Sequence, residues 1–501
     1  TLDISKTGVT GELDVSNLTA LTTLNISDTG ITGLTGLSNL TAVTTLQIFN
    51  TGLSGELDVS QLSALTEITG YGTKITGITF GEKNTNVSSV RMGGLTSLSS
   101  LSGLEYLTNQ NGVTLKLQNT SVRSLNIPSG TNGSHAKFTE IDCSNNGALE
   151  NIVIGENVTV GILNLTDAAA LTSISFPTAP MNMTTLNLTG TTALTNLENL
   201  KSQLNTLTSL TLDGTNLGNS VTDLDFSSNT SITTLSLTNF PNTTVTLPTG
   251  DRLVNLTLNN VKVTDLDLSK RASLRTLSLV NLSGVAVKFP SGLTSLTLDN
   301  IDTTGLDFSN LTGLTRFSLA NVKSGDIKLP TAASVTELTL TNVEAGTIDF
   351  SGMTGVENLT LNGVQTTGDL DLSLLTAATG LSLTNVSGKK ITFPAANGVT
   401  SVTLDNVAGE VDLRKMGKLT TINLKNMPKG FHVDFGNNTT TTTLDMTGSD
   451  LSEYESDQIK GSLSKLATLT LNNTNISSFD SSVIQNITTL TKIRLNNNQA
   501  L

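Results

Sequence analysis

The sequence predicts a β-dominated, right-handed solenoid of about 22 coils, built from parallel sheets with minor short helices. Three observations predict it: a short apolar unit recurs along the chain, a second apolar alternation follows each copy, and large aromatic side chains are scarce. Aromatic residues are 3% of the chain and tryptophan is absent, so the interior must be narrow. Because repeats of this kind stack on one another, 501 residues need no single large core.

The first apolar unit reads L-x-L-x-N followed by Val or Ile, and most of its spacings are 19 to 22 residues. For example, "LTLTNV" from Leu338 returns as "LTLNGV" from Leu359. Alternate residues of a strand point to opposite faces, so both leucines of a unit are expected to face inward. Such strands are too short to be stable alone, and stacking at about 4.8 Å per coil predicts an array about 105 Å long.

An asparagine follows the first strand in most regular units, at the point where the chain must turn. We expect these residues to form a ladder whose side-chain amides satisfy backbone groups of the turn and of the next coil. The ladder comprises Asn239, Asn260, Asn281, Asn300, Asn321, Asn342, Asn385, Asn406 and Asn426.

The second apolar alternation predicts a second short strand on another face of each coil. It occurs either as "DLDFS" and its variants or as "AVKFP" and its variants, and the proline ends the strand because it cannot donate to a ladder. The two types alternate between Leu235 and Leu338. Stacking therefore places unlike charges side by side, which a uniform Asp row would not do; the row is Asp267, Lys288, Asp307, Lys328 and Asp349.

We expect residues 1–501 to form a single leucine-rich-repeat array. Spacings of 25 and 26 residues mark an irregular segment at about 90–141. Helical inserts are predicted at about 194–207 and 451–466, where apolar residues recur near i, i+3 and i+4. Both ends break inside a repeat, so we expect the chain to be cut from something longer.

The formal net charge of −13 bears on the partners of the chain. Because an acidic surface repels phosphate, we expect no nucleic-acid partner and no binding to anionic membranes. We also expect no membrane insertion, since no apolar run reaches about 18 residues. The single cysteine, Cys143, replaces an inward leucine and is expected to be a small core hydrophobe.

An enzymatic function is not expected. The two histidines, His135 and His432, are thirteen coils apart in the predicted array, or roughly 60 Å, and cannot share one site. The Asp residues of the second strands form a spaced ladder, whereas Ca²⁺ requires six to eight converging oxygens. We therefore predict no catalytic residue, no cofactor and no metal site; whether the many N-x-S/T triplets are glycosylated stays open.

Two segments, "GELDVSNLTALTTLNISDTGITGL" and "FTEIDCSNNGALENIVI", resemble bacterial extracellular leucine-rich repeats of the internalin type. The "FP" and "LP" units also resemble the repeats of Bacteroides-type surface antigens. The resemblance covers nearly the whole chain, although only Cys143 represents the cysteine ladder often found in that subclass. It implies a leucine-rich-repeat fold, an extracellular or cell-surface location, and a role as an adhesin or interaction scaffold.

Two surfaces are candidate binding sites. Protein-binding faces usually carry aromatic and Arg anchors, and the N-terminal quarter departs from the Thr/Ser pattern at Gln47, Phe49, Tyr71, Arg91 and Lys116. Elsewhere the predicted outward face is a row of hydroxyl side chains, a composition that exposed strands also favour. The row comprises Thr211, Ser236, Thr257, Ser278, Thr297, Ser318, Thr339, Thr360, Ser382 and Thr403.

Three functions fit these surfaces. The first is a non-enzymatic extracellular scaffold or adhesin that binds a protein or glycan, at a cell or matrix surface, through the repeat surface. The second is a structural subunit of a surface fibre or coat, whose partner is the protein itself and which assembles end to end or laterally. The third and most remote is ice binding through the hydroxyl row.

Overall fold

The computed structural model describes the chain except for residues 131–132, 264, 283, 304–305, 309, 396–397, 437, 453–462, 477, 479–483, 485–486 and 500. It is a parallel β-solenoid of about 22 turns with very little helix, which confirms the predicted fold class. The chain divides into two compact units, Thr1–Lys262 and Val263–Leu501.

In the first unit, one strand of each coil joins a parallel main sheet in which consecutive coils are neighbours. Leu2 pairs with Leu24, Leu24 with Leu46, and Leu46 with Ile68, so the apolar positions stay in register. The main-sheet strands are Leu2–Asp3, Thr23–Asn25, Thr45–Gln47, Glu67–Thr69, Ser89–Arg91, Val113–Lys116, Lys137–Asp142, Thr159–Asn164, Thr185–Asn187, Ser209–Thr211, Thr234–Phe240 and Asn255–Val261.

The second strands of the first unit form four small parallel sheets. They are Thr10–Asp14 with Gly30–Thr35; Ser54–Asp58, Lys74–Thr79 and Ser100–Ser102; Ser124–Ile127, Asn151–Ile154, Ser173–Ser175 and Asn196–Glu198; and Asp223–Asp225 with Thr244–Thr246. Short helices complete some coils: the α-helix Leu200–Gln203 and the 3₁₀ helices Leu37–Asn39, Leu104–Tyr106, Leu204–Thr206 and Leu217–Asn219. Within the predicted irregular segment, the register shifts between Val113 and Thr114.

The second unit repeats this plan, with no helix among its described residues. Its main-sheet strands are Thr276–Val280, Ser295–Asp299, Arg316–Lys323, Glu337–Ala345, Asn358–Asn362, Gln365–Thr366, Leu370–Asp371, Gly380–Thr392, Ser401–Asp412, Thr421–Lys425, His432–Asp434, Thr443–Asp445, Thr468–Thr470 and Lys492–Arg494. Its other strands are Asp265–Asp267 with Ala286–Lys288, and Asp326–Lys328 with Thr347–Asp349. The helical insert predicted at about 451–466 lies largely outside the described residues.

The core of each unit is a stack of inward aliphatic side chains. Leu235 and Leu237 are fully buried, as are Leu256 and Leu258 of the next coil, with which they pair in register. Each Leu or Ile therefore packs against its own counterparts one coil away, and burial of such a side chain stabilises the fold by about 1.5–3 kcal/mol. Both leucines of the repeat face inward, as the sequence predicts.

The asparagine ladder exists, but its physical basis differs from the one the sequence suggests. All nine predicted asparagines have positive φ, for example 52° at Asn321 and 50° at Asn342, a left-handed conformation that Asn tolerates better than most residues. Asn342 is exposed, and its side-chain amide donates to Asn321 Oδ1 at 2.9 Å rather than to the backbone. The turn selects asparagine for its backbone conformation, and the exposed amides then link neighbouring coils.

A second ladder, which sequence reasoning missed, lies just before the main-sheet strands. The hydroxyl of Thr44 donates to the carbonyl of Thr22 at 3.0 Å, and that of Thr66 donates to the carbonyl of Thr44 at 2.9 Å. In the second unit, Thr315 donates to Thr294 O at 2.9 Å. The threonine before so many strands is therefore a clamp between coils that satisfies a backbone carbonyl at the bend.

Aspartates at the ends of the second strands stabilise the following turn. The Asp267 carboxylate accepts hydrogen bonds from the hydroxyl and the backbone N–H of Ser269, at 2.6 Å and 3.0 Å. In the next coil, Lys288 Nζ lies 3.1 Å from Asp267 Oδ2, as the alternating row of charges predicts. The Ser269 hydroxyl, the Ser269 N–H and then Lys288 lower the pKa of Asp267 to about 2. The pKa values of Asp14, Asp225 and Asp349 are lowered by the equivalent bonds from a serine two residues on.

Replacing Asn342 separates the two roles of the ladder. Asn342→Gly keeps the left-handed φ and loses only the amide, whereas Asn342→Ala loses both. We expect the alanine variant to be the less stable of the two by about 1 kcal/mol, since left-handed φ strains a residue with a Cβ. Urea unfolding of the two variants measures the difference. Equal stability would show that the left-handed φ costs the alanine variant nothing, and would contradict its role in selecting asparagine.

The aspartate turns predict acid sensitivity. Their pKa values are lowered in the fold, so the stability they contribute is present above the unfolded-state pKa of about 4. It is lost as pH falls through the lowered folded-state values, which reach about 2 at Asp267. The thermal midpoint should therefore fall between pH 4 and 2. The combined variant Asp225→Asn, Asp267→Asn and Asp349→Asn keeps an acceptor in each turn and should show a smaller fall; an identical pH profile would contradict this origin.

Candidate ligand-binding cleft

The predicted hydroxyl row is in register within each unit. In the first unit Thr211 pairs with Ser236 and Ser236 with Thr257. In the second unit the pairing runs through Ser278, Thr297, Ser318, Thr339, Thr360, Ser382 and Thr403. These side chains are half-buried or exposed. The row is a regular polar strip one residue wide in each coil, and it carries no aromatic or charged anchor.

Several main-sheet strands of the first unit end in the same hydrogen-bonded turn. Asn25 Oδ1 accepts from the backbone N–H and the hydroxyl of Ser27, at 3.1 Å and 2.6 Å. An Asp or Asn two residues before a Ser or Thr forms this stabilising Asx turn. The same turn occurs at Asp3 and Ser5, Asp142 and Ser144, Asn164 and Thr166, and Asn187 and Thr189.

Four consecutive coils, all described at these positions, lack that Asx turn. The register from Asn25 to Asp142 places Gln47, Thr69, Arg91 and Lys116 at its first position. The second position, two residues on, carries Phe49, Tyr71, Gly93 and Gln118. The five residues singled out from the sequence therefore lie in coils that lack this stabilising turn. Local departures from a structural rule of this kind are typical of functional sites.

Two of the replacements form an aromatic stack. The rings of Phe49 and Tyr71 lie 4.7 Å apart with an interplanar angle of 17°. Tyr71 is 42% exposed. Stacked rings support each other and present a flat apolar surface at little cost in side-chain entropy. In a chain with only three tyrosines and no tryptophan, this pair is an exception to the composition.

Glycine at position 93 leaves room for the side chain of Gln118. The φ of Gly93 lies outside the left-handed region, so the backbone does not require glycine there. A Cβ at this position would instead lie 2.6 Å from Gln118 Cδ. The Gln118 amide lies over Gly93, and its Oε1 is buried with no hydrogen-bond partner among the described residues. The site therefore contains an acceptor that the protein itself leaves unsatisfied.

The charged side chains of the site are paired unequally. Lys116 Nζ donates to Glu140 Oε1 and lies 3.4 Å from Asp142 Oδ2, and all three side chains are largely shielded. Arg91 Nε lies 4.0 Å from Glu67 Oε1, and these side chains are 61% and 41% exposed. Ion pairs exposed to this degree contribute little. Arg91 Nε also donates to Ser89 Oγ at 3.2 Å. Lys116 is thus held in place, while the Arg91 guanidinium stays largely exposed to the cleft.

These residues line one cavity of about 460 Å³ on the main sheet of the first unit, hereafter the Tyr71 cleft. Its lining comprises Glu67, Thr69, Tyr71, Arg91, Gly93, Lys116, Gln118 and Asp142. Three of the five predicted residues line it, Phe49 supports it through Tyr71, and Gln47 lies on the neighbouring strand, paired with Thr69. Sequence reasoning missed the other five lining residues, which are Glu67, Thr69, Gly93, Gln118 and Asp142. Gly93 and Gln118 stand where neighbouring coils have the Ser or Thr of an Asx turn, and this replacement is the signal that could have found them.

The cleft offers recognition chemistry: an aromatic face, an exposed cation, an acceptor without a partner among the described residues, and carboxylates. No group of three or more His, Cys, Asp or Glu side chains that could hold a metal ion occurs in the described part of the chain. No helix among the residues that the structure describes is long and apolar enough to cross a membrane. The absence of catalysis and of cofactors stays a prediction.

Cys143 lies beside the cleft residue Asp142 but faces the opposite way. Its side chain is fully buried. Burial, together with the neighbouring Asp142 carboxylate, raises the pKa of the thiol to about 12. A thiol of this kind is neither nucleophilic nor a metal ligand at neutral pH, which fits the predicted core role.

No protein-family profile and no curated protein matches the sequence. Among solved structures, YopM from Yersinia enterocolitica WA-314 is 12% identical, with a TM-score of 0.46 over 89% of this chain and 86% of that chain. The functional domain of InlJ from Listeria monocytogenes, which includes a cysteine ladder, is 20% identical, with a TM-score of 0.30 over 83% of this chain and 71% of that chain. The TLR13–ssRNA13 complex is 16% identical, with a TM-score of 0.36 over 99% of this chain and 70% of that chain.

These structural neighbours are leucine-rich-repeat proteins, and the likeness concerns the fold alone. The likeness gives no information on the ligand of this chain. One neighbour was solved with RNA, so the expectation of no nucleic-acid partner for this chain rests solely on its net charge of −13 and stays a prediction.

The burial of Cys143 predicts its reactivity. At pH 8 the folded protein should not react with a disulfide reagent such as DTNB over an hour, because the thiol is inaccessible and protonated. In guanidinium chloride one thiol per chain should react within minutes. As a matched control, Thr41→Cys places a thiol at an exposed position and should react at once in the folded protein. Fast labelling of folded wild type would contradict the core assignment.

Proposed function

We propose that the chain is a non-enzymatic, extracellular binding scaffold of the adhesin type, which takes a protein or glycan ligand in the Tyr71 cleft. The observation that carries the proposal is the Tyr71 cleft itself, in which an aromatic stack and an exposed guanidinium occupy coils that lack the Asx turn. Tyr and Arg are the side chains most often found at the energetic centres of binding interfaces. The extracellular, cell-surface setting is supported by the bacterial repeats that the sequence resembles.

The rest of the solenoid then serves to hold the cleft. Stacked strands give each ligand-facing side chain a fixed spacing of about 4.8 Å along the array, so the site is preorganised before a ligand arrives. We also propose that residues 1–501 form one continuous array. A ligand contacts side chains on rigid strands, which lowers the ordering cost that flexible loops would impose.

Self-assembly into a fibre or coat is the second candidate, and ice binding through the hydroxyl row is the third. The hydroxyl row is a single column in which neighbouring outward positions vary, from Asp299 to Ala320 to Thr341. A flat lattice of matched columns is therefore missing from this face. Mass photometry of the purified chain decides on self-assembly: a monomer across micromolar concentrations favours the binding scaffold, and regular polymers favour the structural subunit.

The double variant Tyr71→Ala and Arg91→Ala tests the cleft. We expect it to weaken binding at least tenfold, which corresponds to about 1.4 kcal/mol, because it removes the aromatic face and the exposed cation. Binding is measured on surfaces carrying purified extracellular-matrix proteins and on printed oligosaccharides, with the same preparation of protein.

The control is a matched pair of changes in the hydroxyl row, Thr339→Ala and Thr360→Ala, which leave the cleft intact. Binding should be retained in this variant, and both variants should keep the wild-type thermal midpoint within a few degrees. Binding that survives the cleft variant but is lost in the hydroxyl-row variant would move the site to the second unit and refute the proposal.

A further inference from the structure

We infer that the Tyr71 cleft takes a neutral saccharide, with one pyranose ring stacked on the open face of Tyr71. The inference rests on the proposed function and narrows its ligand to one chemical class. Four observations on the cleft carry it: a supported aromatic face, a side-chain amide that lies over Gly93, an unsatisfied acceptor and a balanced set of charges.

The Tyr71 ring is supported on one face and open on the other. Phe49 stacks on Tyr71 at 4.7 Å and so covers one face of its ring. Tyr71 lines the cavity whereas Phe49 does not, so the other side of the ring borders the open space. The C–H groups on one face of a pyranose carry partial positive charge and pack against the negative face of an aromatic ring. A single rigid platform of this size fits one sugar ring.

The coil between Tyr71 and Gln118 has no side chain at the equivalent position, because residue 93 is glycine. Tyr71 and Gln118 stand two coils apart, which is about 10 Å at the spacing of the strands. The Gln118 amide lies over Gly93, where a Cβ would come within 2.6 Å of Gln118 Cδ. Glycine at residue 93 therefore lets the amide lie there, and a ring stacked on the open face of Tyr71 meets that amide.

The polar groups match hydroxyls better than they match ions. Gln118 lines the cleft, and its Oε1 has no hydrogen-bond partner among the described residues. A rotation of this amide that turns the oxygen toward the cleft lets a sugar hydroxyl donate to it. The Arg91 guanidinium supplies donors and the Glu67 carboxylate supplies acceptors at the other rim of the cleft. Hydroxyl groups both donate and accept, so one ring can satisfy these opposite requirements at once.

The charges of the cleft disfavour both kinds of charged ligand. Its lining contains two carboxylates, Glu67 and Asp142, and two cations, Arg91 and Lys116, so the formal charges cancel. Glu140 and Asp142 already neutralise Lys116, which leaves an acidic saccharide one cation against a chain of net charge −13. A basic peptide segment would meet Arg91 directly. A neutral ligand avoids both penalties.

The experiment uses the full chain on an array of neutral, sialylated and sulfated oligosaccharides, followed by calorimetric titration with the neutral oligosaccharide of strongest signal. We expect selective binding of neutral glycans. Tyr71→Ala should weaken the titrated affinity at least tenfold, while Tyr71→Phe keeps the ring and should stay within about threefold of wild type. Gln118→Ala removes the orphaned acceptor and should weaken binding about tenfold.

Tyr106→Ala is the matched control, because it removes another tyrosine of the first unit from outside the cleft, and it should bind as wild type does. Neutral-glycan binding that Tyr71→Ala leaves unchanged would overturn the inference. Tyr71-dependent binding only of acidic glycans, or only of matrix proteins, would also overturn it while leaving the proposed function in place. If neither platform shows any binding that depends on Tyr71, the inference and the proposed function both fail.

Discussion

The register between consecutive coils is the constraint on which the rest of each unit depends. Each apolar residue of a main-sheet strand pairs with its counterpart about one repeat later, as Leu338 does with Leu359. Backbone hydrogen bonds and the buried leucine columns both require this register, since a slip of one residue would turn the leucines to solvent. Every other regularity follows from it, because each position in a coil meets the same position of the next.

Three kinds of side-chain ladder exploit that register. Hydroxyls before the strands donate to carbonyls one coil back, exposed asparagines join coils at the left-handed turn, and carboxylates at strand ends hold the N–H groups that follow them. Each bond is weak alone, at about 0.5–1.5 kcal/mol. Because these bonds repeat along the stack, they satisfy backbone polar groups at the bends of a chain with few aromatic residues and no disulfide.

The end of the main-sheet strand is the position at which the coils of the array differ most. Turns of the Asn25–Ser27 type flank the cleft on both sides, and the coils between them carry Phe49, Tyr71, Gly93 and Gln118 instead. The hydroxyl row also stands at the first position of that turn, since Asn187 pairs with Thr211, but it repeats one side-chain chemistry from coil to coil. The cleft instead brings together aromatic, cationic, amide and carboxylate side chains, which the repeat alone does not explain.

The sequence by itself determined the repeat, the inward leucines, the second strands and the core position of Cys143, because periodic apolar residues have one way to be buried together. It also marked Phe49, Tyr71, Arg91 and Lys116 as exceptions to a uniform pattern. Only the tertiary structure decided which exceptions act together, since Glu67, Gly93 and Gln118 come from three coils and meet through stacking alone. It also decided that asparagine serves the left-handed turn, because φ is a property of the folded backbone that no spacing of residues reveals.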